Sequence, residues 1–86
     1  MTTLFRFDGL RVTIYGNDHA PAHVHVVGGG REVIFELNCP GGPVELRKVR
    51  GSGELRSAEA NRMRSVLTGR LGELCAKWRT LHGDYR

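Results

Sequence analysis

The segment Asn17-Asp18-His19-Ala20-Pro21-Ala22-His23-Val24-His25 brings three of the chain's 4 histidines together with one carboxylate. Imidazole and carboxylate groups at this spacing suit three kinds of chemistry. His-x-His on a strand projects both rings from one face, about 6–7 Å apart along the chain. Asp18 or His19 would complete a divalent-metal site on that face and leave a coordination position open. Without a metal, one protonated and one neutral imidazole act as acid and base on an RNA phosphodiester, with Asp18 orienting a ring. That would be a ribonuclease-like activity. The same groups also serve as local hydrogen-bonding partners that pin a turn. His19, His23, His25 and Asp18 are thus the candidate catalytic residues, and the three histidines are the candidate metal ligands.

A second group is electrostatic. Arg47-Lys48-Val49-Arg50 is the densest basic run, and Arg56, Arg62, Arg64 and Arg70 follow it. Such a run attracts nucleic-acid phosphates or an acidic protein partner, or simply makes a solvated face. Residues 1–43 hold three basic and four acidic side chains, and residues 44–86 hold ten and five. All of the formal charge of +4 therefore comes from the second half. Gly28-Gly29-Gly30 lacks the strand-to-helix context and the Gly-Lys-Ser/Thr ending of a phosphate loop, so it reads as a turn. Neither Ser52 nor Ser57 lies in a nucleophile elbow.

The elements that must position these groups follow from hydropathy. Leu4–Phe7 and Leu10–Tyr15 flank Asp8-Gly9, a hairpin signal. His23–Val27, Glu32–Leu37 and Val44–Val49 alternate as strands do, with loops rich in Gly, Pro and Asn between them. Period two places Val12, Ile14, Val24, Val26, Val33, Phe35, Leu37, Val44 and Leu46 on one face. Arg11, Thr13, Tyr15, His23, His25, Glu32, Glu36, Glu45 and Arg47 fall on the other. Of the basic run, only Arg47 is expected to share the histidine face. Ser57 is the expected N-cap of a helix, and Gly83 fits its stop. Ala60, Met63, Leu67, Leu71, Leu74, Trp78 and Leu81 recur at spacings of three and four, so residues 57–82 read as one amphipathic helix. Gly69 and Gly72 within it invite a kink. The expected fold is α+β: an antiparallel sheet of four or five strands over residues 1–49, with one long C-terminal helix packed on its apolar face.

At 86 residues and 9.6 kDa, with 40% hydrophobic and 26% charged residues, the chain reads as a single globular domain over 1–86. No apolar run approaches the ~20 residues of a membrane helix, and no secretory signal is visible. Cys39 and Cys75 are expected to be buried thiols of a reducing cytoplasm.

The stretch from Tyr15 to Val26 resembles the signature of the bacterial domain-of-unknown-function family 4160. That signature runs Asn-Asp-His, any residue, Pro-Pro-His, any residue, His. The opening Phe-Arg-Phe-Asp-Gly-Leu, the glycine turn and the helix bearing Trp78 are also similar, and Ala22 replaces the second proline. The signature carries over to Asn17, Asp18, His19, Pro21, His23 and His25. Members are often encoded beside a small partner of domain-of-unknown-function family 2442, and such pairs are proposed toxin–antitoxin systems. The resemblance therefore implies a cytoplasmic toxin acting on RNA or the translation machinery. Arg47, Lys48 and Arg50 would then meet phosphates or an acidic antitoxin. A non-catalytic binding module and a small metal-binding protein are the competing expectations.

Overall fold

Asp8 and Gly9 both take positive φ, 49° and 76°, the backbone of a type I′ turn whose twist matches the strands it joins. It links β1 (Thr2–Phe7) to β2 (Leu10–Ile14). Gly29 and Gly30, at φ 60° and 78°, repeat the device between β3 (His23–Gly28) and β4 (Arg31–Glu36). With β5 (Glu45–Gly51), these strands form an antiparallel meander in the order β1-β2-β3-β4-β5, so β1 and β5 are its edges. The structure is a computed structural model, and it describes residues 2–85. The expected strands are all present and number five, within an α+β fold.

The expected single long helix is two: α1 (Ser57–Gly69) and α2 (Leu71–His82). The break lies at Arg70, whose φ of −121° and ψ of 19° leave the helical region. Its N–H turns back to the Leu67 carbonyl at 3.1 Å, and the Arg70 carbonyl accepts from Leu74 to restart the spiral. Gly69 just before it supplies little helix propensity and no side chain to hold the line. The apolar stripe survives the break. Ala60, Met63, Leu67, Leu74 and Trp78 are buried, and all but Ala60 join the sheet's Val12, Ile14, Val24, Val26, Val33, Phe35 and Leu37 in one core. Leu81, expected in the stripe, is instead 42% exposed at the end of α2.

Smaller corrections have local causes. Arg56 occupies the N-cap position instead of Ser57, and its N–H donates to the Glu59 carboxylate at 3.3 Å. Gly83 ends α2 as expected, at φ 85°, with its N–H on the Arg79 carbonyl. Cys39 and Cys75 are not free thiols: they form a disulfide with Cα atoms 5.8 Å apart, tying the loop after β4 to α2. Two ion pairs tie α1 to the sheet's turns, Arg31 to Glu59 and Arg62 to Asp8. Hydrogen bonds from these guanidiniums hold the Glu59 and Asp8 carboxyls below their ordinary range.

The β4–β5 register matters most for function. Ile34 faces Lys48 but Phe35 faces Leu46, so Arg47 is an extra residue, a bulge. The bulge reverses the alternation along β5. Lys48 and Arg50 therefore lie on the histidine face together with Arg47, where period two had placed Arg47 alone. Leu46 stays on the helix side and Val49 joins it there, yet they are 37% and 40% exposed.

Candidate functional site

The face without helices is not uniformly wet. Thr13 and His25, expected to be solvent-facing, are 0% and 6% exposed. Thr13 donates its hydroxyl to the Thr2 carbonyl at 2.6 Å. His25 is buried because the loop after β2 folds back over it. That loop is held by a reciprocal pair of bonds: Asp18 N–H to the Tyr15 carbonyl at 3.1 Å, and Tyr15 N–H to Asp18 Oδ2 at 2.9 Å. An Asx-type turn of this kind fixes the carboxylate direction with no help from the sheet.

The fixed carboxylate points at both strand histidines. Asp18 lies 3.1 Å from His25 Nε2 and 3.4 Å from His23 Nε2. One ligand atom from each of Asp18, His23 and His25 falls within 4.8 Å of the others. The opposite ring nitrogens are already engaged. His23 Nδ1–H donates to the Pro21 carbonyl, and His25 Nδ1 pairs with Glu32 Oε2, both at 2.8 Å. A neutral imidazole carries one N–H. With that proton on Nδ1 in each ring, two Nε2 lone pairs and a carboxylate converge on one point. Three acceptors facing each other need protons or a cation between them. The two separations from Asp18 match those of ligands about a first-row divalent ion, about 3.0–3.4 Å for bond lengths near 2.1 Å. The outer partners also match the usual support of metal-bound histidine, in which a carboxylate or carbonyl takes the second N–H.

Aromatic contacts hold the rings in place. Tyr15 meets His25 edge-on with centroids 4.5 Å apart, and His23 lies 5.1 Å from both His25 and Trp78. Trp78 in turn packs on His82 at 4.4 Å, and His82 Nε2 hydrogen-bonds the Tyr15 carbonyl. The C-terminal helix therefore braces both the His23 ring and the loop that carries Asp18.

Of the sequence candidates, Asp18, His23 and His25 come together. His19 and Asn17 are exposed, and His19 is not part of the group that closes on one point. Pro21 contributes its carbonyl. Arg47, Lys48 and Arg50 lie on β5 outside that group, with Arg47 paired to Glu36 and Arg50 to Glu32, the carboxylate that also holds His25 Nδ1. Glu32, Tyr15, Trp78 and His82 were missed as site residues. Glu32 carried a signal, since alternation puts it on the face of His25 and the glycine turn folds one strand against the other. Beside the cluster, a groove of about 570 Å³ runs along the same face, lined by Arg11, Tyr15, Glu32, Arg50 and the glycine turn.

An antiparallel meander backed by helices, with a histidine–carboxylate cluster on its uncovered face, defines a small α+β protein built around a surface site. The chain belongs to the family described as Domain of unknown function (DUF4160), whose family model matches residues 9–79. No match was found among curated proteins or among solved structures. Among the described residues, no helix is long and apolar enough to cross a membrane.

Proposed function

We propose that Asp18, His23 and His25 hold a divalent cation, and that the protein uses it to hydrolyse RNA as the toxin of a two-gene pair. The observation that carries the metal is the convergence of both Nε2 atoms on Asp18 while both Nδ1 atoms are engaged elsewhere. A bound ion would supply a nucleophilic hydroxide and polarise a phosphoryl oxygen. Three protein ligands leave positions for water and for that oxygen. The adjoining groove supports a phosphate substrate, because Arg11 and Arg50 line it beside Glu32. The toxin role, the partner of family 2442 type and the cytoplasmic setting rest on the family. In a reducing cytoplasm Cys39 and Cys75 would be a dithiol.

Elemental analysis and calorimetric titration of tag-free protein with zinc, manganese and nickel test the metal. One equivalent should bind, and Asp18→Ala, His23→Ala and His25→Ala should each abolish binding. Growth inhibition and RNA cleavage by the same variants test the rest, and both should disappear with the metal. If RNA cleavage persists in chelator yet vanishes in His23→Ala, the cluster is a metal-free acid–base pair. If none of the three ions binds, the metal reading fails whatever the growth phenotype.

A further inference from the structure

We infer that β5 is a docking edge for an extended, acidic segment of a partner protein, which would add to the sheet as a sixth strand. The two edges of the sheet differ. β1 is half-buried along most of its length, has a register shift between Thr3 and Phe5, and has the Arg70 guanidinium 4.0 Å from the Phe5 ring centroid. β5 is exposed at all seven residues and has no strand beyond it. An uncovered edge offers a row of backbone donors and acceptors to an incoming strand.

The side chains specify what kind of strand fits. Leu46 and Val49, on the helix side, are two of the three exposed large apolar side chains among the described residues. They form one wall of a groove of about 510 Å³ whose other wall is Leu55, Ala60 and Arg64. On the opposite side, Lys48 flanks the edge beside Arg47, whose guanidinium is shared with Glu36 and Glu45. A strand alternating apolar and acidic residues would set the first kind into the groove and the second beside the cations. A second copy of this chain is the poorer occupant. Antiparallel self-pairing centred on Lys48 places that ammonium opposite its own copy, with Arg47 and Arg50 of each strand close by. Like charges facing each other are destabilising, and a lysine with a bulge is the usual guard against self-pairing. The same guard attracts a carboxylate-bearing strand. This inference is independent of the metal site.

The test uses the acetylated, amidated peptide Glu-Val-Glu-Val-Glu-Val-Glu, its counterpart with Lys for Glu, and a ten-residue uridine RNA. Amide chemical shifts and hydrogen exchange of the full chain are read residue by residue. The acidic peptide should shift the amides of Glu45–Gly51, slow their exchange, and bind at least tenfold tighter than the basic one. Lys48→Glu should weaken it at least fivefold while leaving metal affinity unchanged, and Val49→Ser should weaken it with the charges intact. Equal binding of the two peptides, shifts confined to other strands, RNA saturating the β5 resonances more tightly than the peptide, or self-association through β5 would each overturn the assignment.

Discussion

The two faces of the sheet bury side chains for opposite reasons. On the helix side, Val12, Ile14, Val24, Val26, Val33 and Phe35 are all at most 1% exposed, and their burial needs no direction. On the other side, Thr13 and His25 are nearly as buried, yet every polar contact there has a geometry to satisfy. Apolar burial stabilises by about 25 cal/mol per Å² and tolerates exchange at similar volume. Polar burial is costly unless each donor finds its acceptor. The cluster of Asp18, His23 and His25 goes further, since its two ring nitrogens and carboxylate close on one another and need a proton or a cation between them.

The residue that joins the two faces should matter most. Trp78 is fully buried in the core, while its ring lies against His23 and His82. Trp78→Ala should cost about 3–5 kcal/mol in urea unfolding, as large-to-small core substitutions do. It should also weaken metal binding, because the His23 ring loses its brace. Trp78→Phe should recover most of the stability. If Trp78→Ala lowers stability and leaves metal affinity unchanged, the faces are independent and the brace is an idle contact.

The disulfide sharpens the same comparison from the covered side. Cys75 lies one turn before Trp78, and its bond to Cys39 closes a loop with a sequence separation of 36. Cross-linking over that length constrains the unfolded chain, with a typical gain of about 2–4 kcal/mol. Cys39→Ala with Cys75→Ala should lower stability by that amount. Metal affinity, measured below the new melting temperature, should change little, since neither sulfur touches the cluster.

Two neighbours on β4 separate the faces most cleanly. Val33 points into the core, and Glu32 takes the Nδ1 hydrogen bond of His25. Val33→Ala should cost about 2 kcal/mol of stability through lost burial and leave metal affinity alone. Glu32→Gln should do the reverse. Removing an outer partner of a metal-bound histidine costs about 10–100-fold in affinity, while stability should move less than in Val33→Ala. Equal losses of affinity in the two variants would mean that Glu32 plays no supporting role.

What was legible in the sequence follows this division. The covered face was readable residue by residue because strand alternation is local: each of Val12, Ile14, Val24, Val26, Val33, Phe35 and Leu37 is buried as expected. Gly69 signalled a kink in the helix, but not a full break, because Leu67, Leu71 and Leu74 keep the apolar period across Gly69 and Arg70 and a glycine there costs only ~1 kcal/mol. The β5 bulge was hidden because Glu45, Arg47 and Lys48 look alike to an alternation pattern, yet one extra residue moves Lys48 and Arg50 to the other face. At the site, His23 and His25 were visible as a strand pair. Asp18 was visible as a ligand or orienting group too, and the turn that aims its carboxylate is local to Tyr15–Asp18. The disulfide depended on where α2 crosses the sheet, which arises from tertiary folding and is not encoded in residue spacing.

The smallest expected effect concerns the ion pairs that pin α1 to the turns at the far side of the core. Glu59 is held below its ordinary value of 4.5, chiefly by the hydrogen bond from Arg31, and Asp8 below 3.8 by that from Arg62. A carboxyl whose folded value is depressed binds its proton more readily when unfolded. Its stabilising contribution is therefore fully present above the ordinary value and is lost as the pH falls through the lower, folded one. The Arg62–Asp8 pair is solvent-exposed and the Arg31–Glu59 pair only half-buried, so each contribution is small and screened by salt. Glu59→Gln should lower the melting temperature slightly at neutral pH and make its fall below pH 4.5 shallower. Asp8→Asn should do the same below pH 3.8. The signature is convergence: each variant and the parent protein should approach equal stability once the carboxyl is protonated in both folded and unfolded chains. Curves that stay parallel into acid would mean the pairs do not hold α1 to the sheet, and that the helix rests on the apolar face alone.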